Sequence, residues 1–326
     1  MHILVTGGAG YIGSHTVALL LREGHQVTVL DSLEKGHREA VPPEVPFVRG
    51  DVGDAALLAQ VFGETRFDAV LHFAAYIEAG ASMQVPERFL VNNTARSFVL
   101  LEAMLQAGVR RFVFSSTAAI FGNPQYTPID EDHPKDPTSA YGYAKLLVEG
   151  GLGWLHRLRG LDYAALRYFN AAGCSERLGE DHHPETHLIP LLLDVALGRR
   201  ERLHLFGTDY PTPDGTCVRD YVHVEDLARA HSLALRALGG PAPLIYNVGN
   251  GQGYSVREVV EAARRVTGHP IPVVEAPRRP GDPAVLVASS DKIRRELGWE
   301  PRRPHLEDIV ASAWTWRKAR FQEQQA

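Results

Sequence analysis

The part of this sequence best suited to proton transfer contains a tyrosine and a lysine four residues apart. Tyr141 and Lys145 lie in SAYGYAKLL, residues 139–147, which has the composition of a helix, and residues four apart on a helix share one face. A tyrosine, with an ordinary pKa of about 10, becomes a base at neutral pH only when positive charge stabilises its phenolate. A lysine beside it and the charged ring of an oxidised nicotinamide are two such sources, so the pair predicts removal of an alcohol proton. In isolation, two surface residues one turn apart explain the same spacing.

A glycine-rich turn near the start of the chain predicts where a nicotinamide cofactor binds. Gly7, Gly10 and Gly13 are spaced G-x-x-G-x-x-G in VTGGAGYIGSH, residues 5–15, between an apolar strand and a helical stretch. Glycine permits the tight turn, the close approach of a pyrophosphate and the packing of the helix on the strand. The helix N-terminus then offers backbone N–H groups to the phosphates.

Acidic residues end the next two predicted strands. Asp31 lies 18 residues after Gly13, where a carboxylate binds the ribose hydroxyls and repels a 2′-phosphate, so the predicted cofactor is NAD rather than NADP. Asp51 ends the third strand. It is predicted either to contact the adenine or to cap the following helix, and the two roles are compatible.

Positioning these residues requires a layered α/β scaffold. Nearly unbroken apolar runs, as expected of parallel strands covered on both faces, occupy residues 2–7, 26–31, 46–51, 69–74, 111–116 and 163–168. Helical patterns separate them, and the longest span residues 87–107 and 140–159. The alternation predicts a Rossmann-type, doubly wound parallel sheet as an NAD-binding domain over residues 1–170. The looser pattern that follows predicts a smaller mixed α/β lobe for the substrate over residues 171–326, with later segments returning to the first domain.

The composition narrows the partners and the compartment. The 326 residues include 34 Lys and Arg against 39 Asp and Glu, a net charge of −5 that argues against nucleic acid or an anionic membrane as the main partner. No apolar run approaches the roughly 18 residues of a membrane span. Two cysteines, Cys174 and Cys217, indicate no disulfide framework, so we predict a cytoplasmic protein. The stretch DHHPETH, residues 181–187, lacks a standard metal-ligand spacing and predicts a polar loop without a metal.

Several long motifs give the chain a family resemblance that runs almost from end to end. Besides the glycine turn, they are FSSTAAIFG, YGYAK, LRYFNAAG, FGTDYPTPDGTCVRDYVHV and RRPGDPAVLVASSDKIRRELGW. The chain resembles the extended short-chain dehydrogenase/reductases and, among them, the UDP-hexose 4-epimerases. The resemblance implies reversible C4 epimerisation of UDP-glucose and UDP-galactose through a 4-keto intermediate, with tightly bound NAD and with UDP-N-acetylhexosamines as possible further substrates. It also implies a homodimer.

The resemblance implies roles for individual residues. Tyr141 would be the base, Lys145 would tune it and hold the nicotinamide ribose, and Thr117 would bridge the tyrosine and the sugar. The NAD site would be lined by Gly7, Gly10, Tyr11, Ile12, Gly13, Asp31, Asp51, Val52, Phe73, Ala74, Asn92, Tyr141, Lys145 and Phe169. The UDP-sugar site would be lined by Thr117, Asn170, His187, His204, Phe206, Arg219, Arg279, Asp282 and Leu286.

Three positions depart from the family pattern. Ile77, followed by the acidic Glu78, stands where some members carry a lysine, so the phosphate contact of that lysine must be missing or replaced. His187 stands where many members have asparagine, and it is predicted either to contact the substrate or to start a helix. Leu286 stands where the family often has a tyrosine that narrows the sugar pocket, which predicts room for N-acetylhexosamines.

Two alanines indicate that the expected reaction is not a dehydration. Dehydratases that resemble this chain carry an Asp-Glu pair just after the threonine, because eliminating water needs an acid and a base. Ala118 and Ala119 occupy those positions here, so dehydration is disfavoured and the expected reaction is oxidation and reduction at C4.

A UDP-pentose or UDP-uronate 4-epimerase with the same catalytic residues is an alternative. A non-catalytic sensor of NAD or nucleotide sugar is the alternative from another class.

Overall fold

The computed structural model describes residues 1–279 and 281–325. The strands are β1 (His2–Thr6), β2 (Gln26–Asp31), β3 (Phe47–Arg49), β4 (Ala69–His72), β5 (Arg111–Thr117), β6 (Asp162–Tyr168), β7 (Asn170–Ala172), β8 (Leu203–Phe206), β9 (Val218–His223), β10 (Leu244–Val248), β11 (Gly253–Ser255), β12 (Val273–Ala276) and β13 (Val285–Leu286). The helices are α1 (Tyr11–Arg22), α2 (Ala55–Glu64), α3 (Ala79–Ser82), α4 (Pro86–Phe89), α5 (Arg96–Gln106), α6 (Ala140–Arg159), α7 (Leu188–Ala196), α8 (Val224–Ala237), α9 (Val256–Thr267), α10 (Asp291–Leu297) and α11 (Leu306–Gln325).

The largest unit is a parallel sheet of seven strands in the order β10-β6-β5-β4-β1-β2-β3. The order reverses beside β1, where Ile3 pairs with Val27 of β2 on one side and with Ala69 of β4 on the other. In such sheets the crevice for a ligand opens at the carboxyl ends of the strands next to this reversal. The glycine turn, Asp31 and the residues after β4 all lie at these ends.

Helices cover both faces of the sheet, which explains why its strands are apolar throughout rather than alternating. On one face, Ile3 and Val5 pack with side chains of α1 and α8. On the other face, Leu4 packs with side chains of α2, α5 and α6. The predicted doubly wound fold is confirmed. The sheet also contains β10, and α8 covers it, although both come from the second half of the chain.

The remaining strands form a smaller lobe. β9 lies between an antiparallel neighbour, β11, and a parallel one, β13, and it also pairs with β7. β8 and β12 form a separate parallel pair. Helices α7, α9 and α11 share a core with these strands that includes Leu192, Val259 and Ile309. The predicted mixed α/β lobe is therefore present. Within residues 1–279 and 281–325, no helix is both long and apolar enough to cross a membrane.

The helix predicted over residues 87–107 is present, but it is not a regular α-helix throughout. It consists of α4, a π-helical turn over Leu90–Ala95, and α5. The wider turn brings Asn93 to the loop after β4, where its amide donates to the Tyr76 carbonyl and accepts from the Tyr76 N–H, each at 2.8 Å. Side-chain spacing in a sequence does not distinguish one wide turn from regular helix, and such turns are frequent at functional sites.

Candidate active site

The turn between β1 and α1 has the shape of a pyrophosphate cradle. Gly7 has a φ of +73°, and a Cβ at this position would lie 2.5 Å from the backbone nitrogen of Ala74. A Cβ on Gly13 would collide with the carbonyl oxygen of Gly7. Gly10 is the N-cap of α1, and glycine has no side chain that would bond the first N–H groups of the helix. Those groups therefore stay available for an anion, and the turn fits the diphosphate of a dinucleotide.

Asp31 is fixed beside this turn at the end of β2. Its carboxylate accepts N–H bonds from Ala9 at 3.0 Å and from Leu33 at 2.8 Å, while burial raises its pKa. The opposite wall of the cradle comes from Phe73 and Ala74, whose N–H groups both donate to the Thr6 carbonyl at the end of β1. A carboxylate held at this place fits a ribose diol and disfavours a 2′-phosphate, as predicted for NAD.

Asp51 does not cap a helix, contrary to one of its two predicted roles. The N-cap of α2 is Asp54, which accepts the N–H bonds of the first turn. Asp51 instead forms an ion pair with Arg96 at 2.6 Å, and the same guanidinium nitrogen donates to the side-chain oxygen of Asn92 at 2.9 Å. Asp51 and Asn92, both predicted to line the NAD site, are thus joined by Arg96. The sequence does not signal Arg96, because its position depends on the π-helical turn before it.

The predicted reactive residues meet where β5 ends and α6 begins. Ser139 caps α6 by accepting the Gly142 N–H, and this places Tyr141 in the first turn of the helix. Thr117, the last residue of β5, accepts the Ala119 N–H at 3.1 Å, and its hydroxyl lies near enough to Tyr141 to influence the pKa of the phenol. One turn along α6, Lys145 is 3% exposed and donates to the Ser115 carbonyl at 2.9 Å.

Taken together, the protein's own groups raise the pKa of Tyr141 rather than lower it. Burial raises the pKa of Tyr141, the Thr117 hydroxyl lowers it partly, and the Glu78 carboxylate raises it further. Burial also lowers the pKa of Lys145 to about 7. The lysine is therefore a weaker source of positive charge than its spacing suggests. The positive ring of oxidised nicotinamide has to supply the main stabilisation of a phenolate here.

A buried ion pair behind α6 was not anticipated from the sequence. Arg167 of β6 binds both carboxylate oxygens of Glu149, with its shortest contact at 2.6 Å, and the two side chains are 2% and 7% exposed. The Ser116 hydroxyl donates to the same carboxylate at 2.5 Å. The pair fixes α6 to β5 and β6 next to Thr117. Arg167 lies in the apolar run of residues 163–168, and that one charge in a buried strand was the available signal.

The smaller lobe brings several predicted substrate residues to the same end of the sheet. Arg219 of β9 pairs with Leu286 of β13, and its guanidinium lies 3.5 Å from the Asp282 carboxylate. Asn170 of β7 pairs with Tyr221, two residues further along β9. A small apolar cluster that begins at Ala118, directly after Thr117, has two further predicted residues packed against it, Phe169 and Leu286.

Three other predicted residues lie on and beside β8. The Arg279 guanidinium stacks 4.1 Å from the ring centroid of Phe206, and the rings of His204 and Phe206 are 6.4 Å apart. Tyr210, after β8, lies near Asp282 and Arg219 of the previous group. Burial, the Cys217 thiol and the Asp282 carboxylate raise the pKa of Tyr210 to about 12.

Two departures from the family pattern have clear local partners. Glu78, beside Ile77, is paired at 2.8 Å with Lys35, which reaches it from the segment after Asp31. His187 is the N-cap residue of α7, but its side chain points to acidic groups of the preceding loop, with Nδ1 2.8 Å from Glu180. The structure thus places His187 in a cluster with Glu180, His182 and Glu185.

The parallel sheet, the glycine turn with Asp31, and the Tyr-Thr-Lys group define a dinucleotide-dependent enzyme that acts on an alcohol. Residues 3–249 match the model of the NAD dependent epimerase/dehydratase family. The UDP-glucose 4-epimerase of Halalkalibacterium halodurans is 53% identical over 98% of this chain and 96% of its own length. The chain therefore belongs to this family and, within it, to the UDP-glucose 4-epimerases.

Solved structures agree with this assignment. The UDP-glucose 4-epimerase of Bifidobacterium longum, crystallised with NAD⁺ and UDP, is 37% identical with a TM-score of 0.94 and covers 98% of both chains. The UDP-Glc/GlcNAc 4-epimerase of Campylobacter jejuni is 40% identical with a TM-score of 0.87, over 98% of this chain and 99% of the other.

Proposed function

We propose that this protein is an isomerase that interconverts UDP-glucose and UDP-galactose at C4, using NAD that stays bound between turnovers. The observation that carries the proposal is the group formed where β5 ends and α6 begins: Thr117 lies near enough to Tyr141 to influence its pKa, and one turn along the helix the buried Lys145 donates to the Ser115 carbonyl. The neighbouring Ala118 and Ala119 offer no ionisable group, so the site has a proton carrier for oxidation and reduction but no acid–base pair for dehydration.

In this mechanism, Tyr141 removes the proton of the 4-hydroxyl group and later returns it. Thr117 orients the hydroxyl and the phenol, and Lys145 holds the nicotinamide ribose. The chemistry that NAD supplies when bound is the reversible acceptance of a hydride. The 4-keto sugar turns within the site and is reduced on its other face, so Tyr141 acts twice per turnover and the sugar undergoes no net oxidation.

The substrate residues divide into strong nucleotide contacts and weak sugar contacts. Arg219 and Arg279 suit the diphosphate, because a guanidinium makes paired hydrogen bonds to phosphate oxygens, and Asn170 joins them. The Asp282 carboxylate, 3.5 Å from the Arg219 guanidinium, would orient that guanidinium. Phe206 and His204 provide flat rings for the uracil. A sugar held loosely next to Leu286 can rotate while the nucleotide stays bound, which the mechanism requires.

The sugar range is proposed to include N-acetylhexosamines. Leu286 packs beside Phe169 against the cluster that begins at Ala118, and it offers no phenol to narrow the pocket. The C. jejuni relative is named for both UDP-Glc and UDP-GlcNAc. UDP-pentoses and UDP-uronates are the alternative substrates, because every catalytic residue would be the same.

The experiment is a panel of UDP-sugars assayed without added NAD, for the wild-type protein and for Leu286→Tyr. We expect turnover of UDP-galactose and UDP-glucose, and release of about one NAD per chain on denaturation. We expect Leu286→Tyr to lower turnover of UDP-N-acetylglucosamine at least about ten-fold, the size of effect that a change in pocket volume produces, and to leave UDP-glucose nearly unchanged. No turnover of any UDP-sugar would identify a sensor. Good turnover of UDP-glucose alone would disprove the wide pocket.

Self-association is proposed through the exposed side of α6. Trp154 and Leu158 are 61% and 72% exposed, and Tyr143 and Leu147 extend the apolar stripe toward the catalytic end of the helix. An exposed stripe of this kind is typical of an interface, and a homodimer agrees with the family pattern. A mass of one chain in sedimentation would contradict it.

The two buried free thiols, Cys174 and Cys217, support a cytoplasmic location.

A further inference from the structure

The loop between β7 and α7 contains a compact group of metal-ligand side chains outside the proposed active site. Glu180, His182, Glu185 and His187, named here the loop cluster, offer one donor atom each, and these atoms all lie within 4.8 Å of one another. The sequence predicted a polar loop without a metal, because the spacing of these residues fits no standard motif. The fold of the loop, rather than its spacing, brings the four side chains together.

The four side chains lie close enough together for their donor atoms to bind one metal ion. Glu180 Oε1 lies 2.8 Å from His187 Nδ1 and 3.3 Å from His182 Nδ1, while Glu185 approaches His187 Nδ1 with Oε1 at 3.0 Å and His182 Nδ1 with Oε2 at 3.9 Å. Zinc bonds nitrogen and oxygen ligands at about 2.0–2.2 Å, so two ligands of a tetrahedral zinc are about 3.3–3.6 Å apart. The observed separations lie on both sides of this value.

Two buried atoms of the loop cluster lack a hydrogen-bond partner among the described residues. His182 Nδ1 and Glu185 Oε2 are buried, and neither makes an aligned hydrogen bond within residues 1–279 and 281–325. The Glu180 and Glu185 side chains are each only 7% exposed. Leaving a buried polar group without a partner destabilises the folded protein, so a cationic partner between these two atoms has a clear physical reason.

A strong cation close to the loop cluster is already neutralised by an acidic side chain outside it. Arg317 of α11 donates to the backbone carbonyl of Glu180, but its guanidinium is held by both oxygens of Asp194 at 2.8 and 2.9 Å. The two carboxylates of the loop cluster therefore need positive charge from elsewhere. A protonated His187 can supply it, and so can a bound metal ion.

The positions of the ligands are fixed by surrounding groups. Glu185 Oε1 accepts the N–H groups of Thr186 and His187, both at 2.8 Å. The ring of Tyr11, at the start of α1, packs edge-on against His182 with the centroids 6.1 Å apart. Fixed ligands of this kind distinguish a built metal site from a chance group of surface charges.

We propose that the loop cluster binds one Zn²⁺ ion through Glu180, His182, Glu185 and His187. Two imidazoles with two carboxylates favour zinc over calcium or magnesium, which take oxygen ligands almost exclusively. The ion would have a structural role. The loop is tied to the segment after Asp31, where Lys35 donates to the His183 carbonyl at 3.1 Å and the His37 ring bonds the Asp181 carbonyl at 2.7 Å. Zinc would therefore stabilise this side of the cofactor site.

The test is a zinc titration of the NAD-loaded protein after dialysis against a chelator. We expect one Zn²⁺ per chain with a submicromolar Kd, and a rise in Tm of about 5 °C at saturating zinc. His182→Gln and, separately, Glu180→Gln should weaken zinc binding at least about 100-fold and abolish the rise in Tm. His183→Gln is the matched control, because His183 is exposed, adjacent in the loop and outside the cluster, and it should bind zinc as the wild-type protein does.

Two results would overturn the proposal. Wild-type protein that binds no stoichiometric zinc would show that a protonated His187 neutralises the carboxylates instead. Unchanged zinc binding in His182→Gln would place the ion elsewhere. If Glu180→Gln does not fold, the His182→Gln titration and the spectrum of Co²⁺ in the wild-type site, which distinguishes tetrahedral from octahedral coordination, decide the question.

Discussion

Replacing Tyr141 with phenylalanine is expected to lower kcat for UDP-galactose by about 1,000-fold, the range that loss of a general base produces. Phenylalanine keeps the ring but removes the hydroxyl that lies beside Thr117. Burial raises the pKa of Tyr141, so the phenol depends on the bound cofactor to ionise. A water molecule in place of the missing hydroxyl would be a poor base, because it is not held in position for the proton transfer. Turnover is measured with the NAD that copurifies, so that the assay reports the chemical step.

Tyr143→Phe is the matched control for this prediction. Tyr143 lies two residues further along α6, and its side chain is 49% exposed, so removal of its hydroxyl should leave kcat within about two-fold. NAD content and Tm should be the same in both variants and in the wild-type protein. A Tyr141→Phe protein that keeps more than a tenth of the activity would show that another group carries the proton.

The large sheet was predictable from the sequence because its cause is local. Strands covered on both faces are apolar throughout, and the predicted runs of residues 2–7, 26–31 and 111–116 match β1, β2 and β5 within a residue at each end. β10 was not singled out, although Leu244–Val248 joins the edge of the same sheet. β10 joins this sheet only because the chain comes back to it after forming part of the smaller lobe. A local sequence pattern does not predict a pairing between segments so far apart in sequence.

The chemistry of the site was less predictable, because charge depends on burial. The spacing of Tyr141 and Lys145 was sufficient to place them on one face of α6. It did not reveal that burial lowers the pKa of Lys145 to about 7. The alternative cap role of Asp51 failed for a similar reason. Asp54 is closer to the helix start, and Arg96, which lies far away in sequence, binds Asp51.

The Glu149→Ala variant is expected to lose about 3–5 kcal/mol of unfolding free energy, the cost of leaving a buried charge without its partner. Arg167 is 2% exposed and bonds both oxygens of Glu149. Without the carboxylate, its guanidinium keeps only the Glu131 carbonyl, at 3.2 Å, and the nearby Phe121 ring among the contacts of the described residues. For a chain of this size, Tm should fall by about 10 °C, measured by calorimetry at saturating NAD.

Two comparisons separate this effect from a general loss of ion pairs. Glu307→Ala removes an exposed pair with Arg265, whose side chains are 60% and 52% exposed for Arg265 and Glu307, and such pairs contribute about 0–1 kcal/mol. The double variant Glu149→Leu, Arg167→Met should be more stable than Glu149→Ala, because it removes the unpaired charge and fills the space. If the double variant is no more stable, the loss in Glu149→Ala arises from the bond to Ser116 or from a cavity. The ion pair would then not be what fixes α6 beside Thr117.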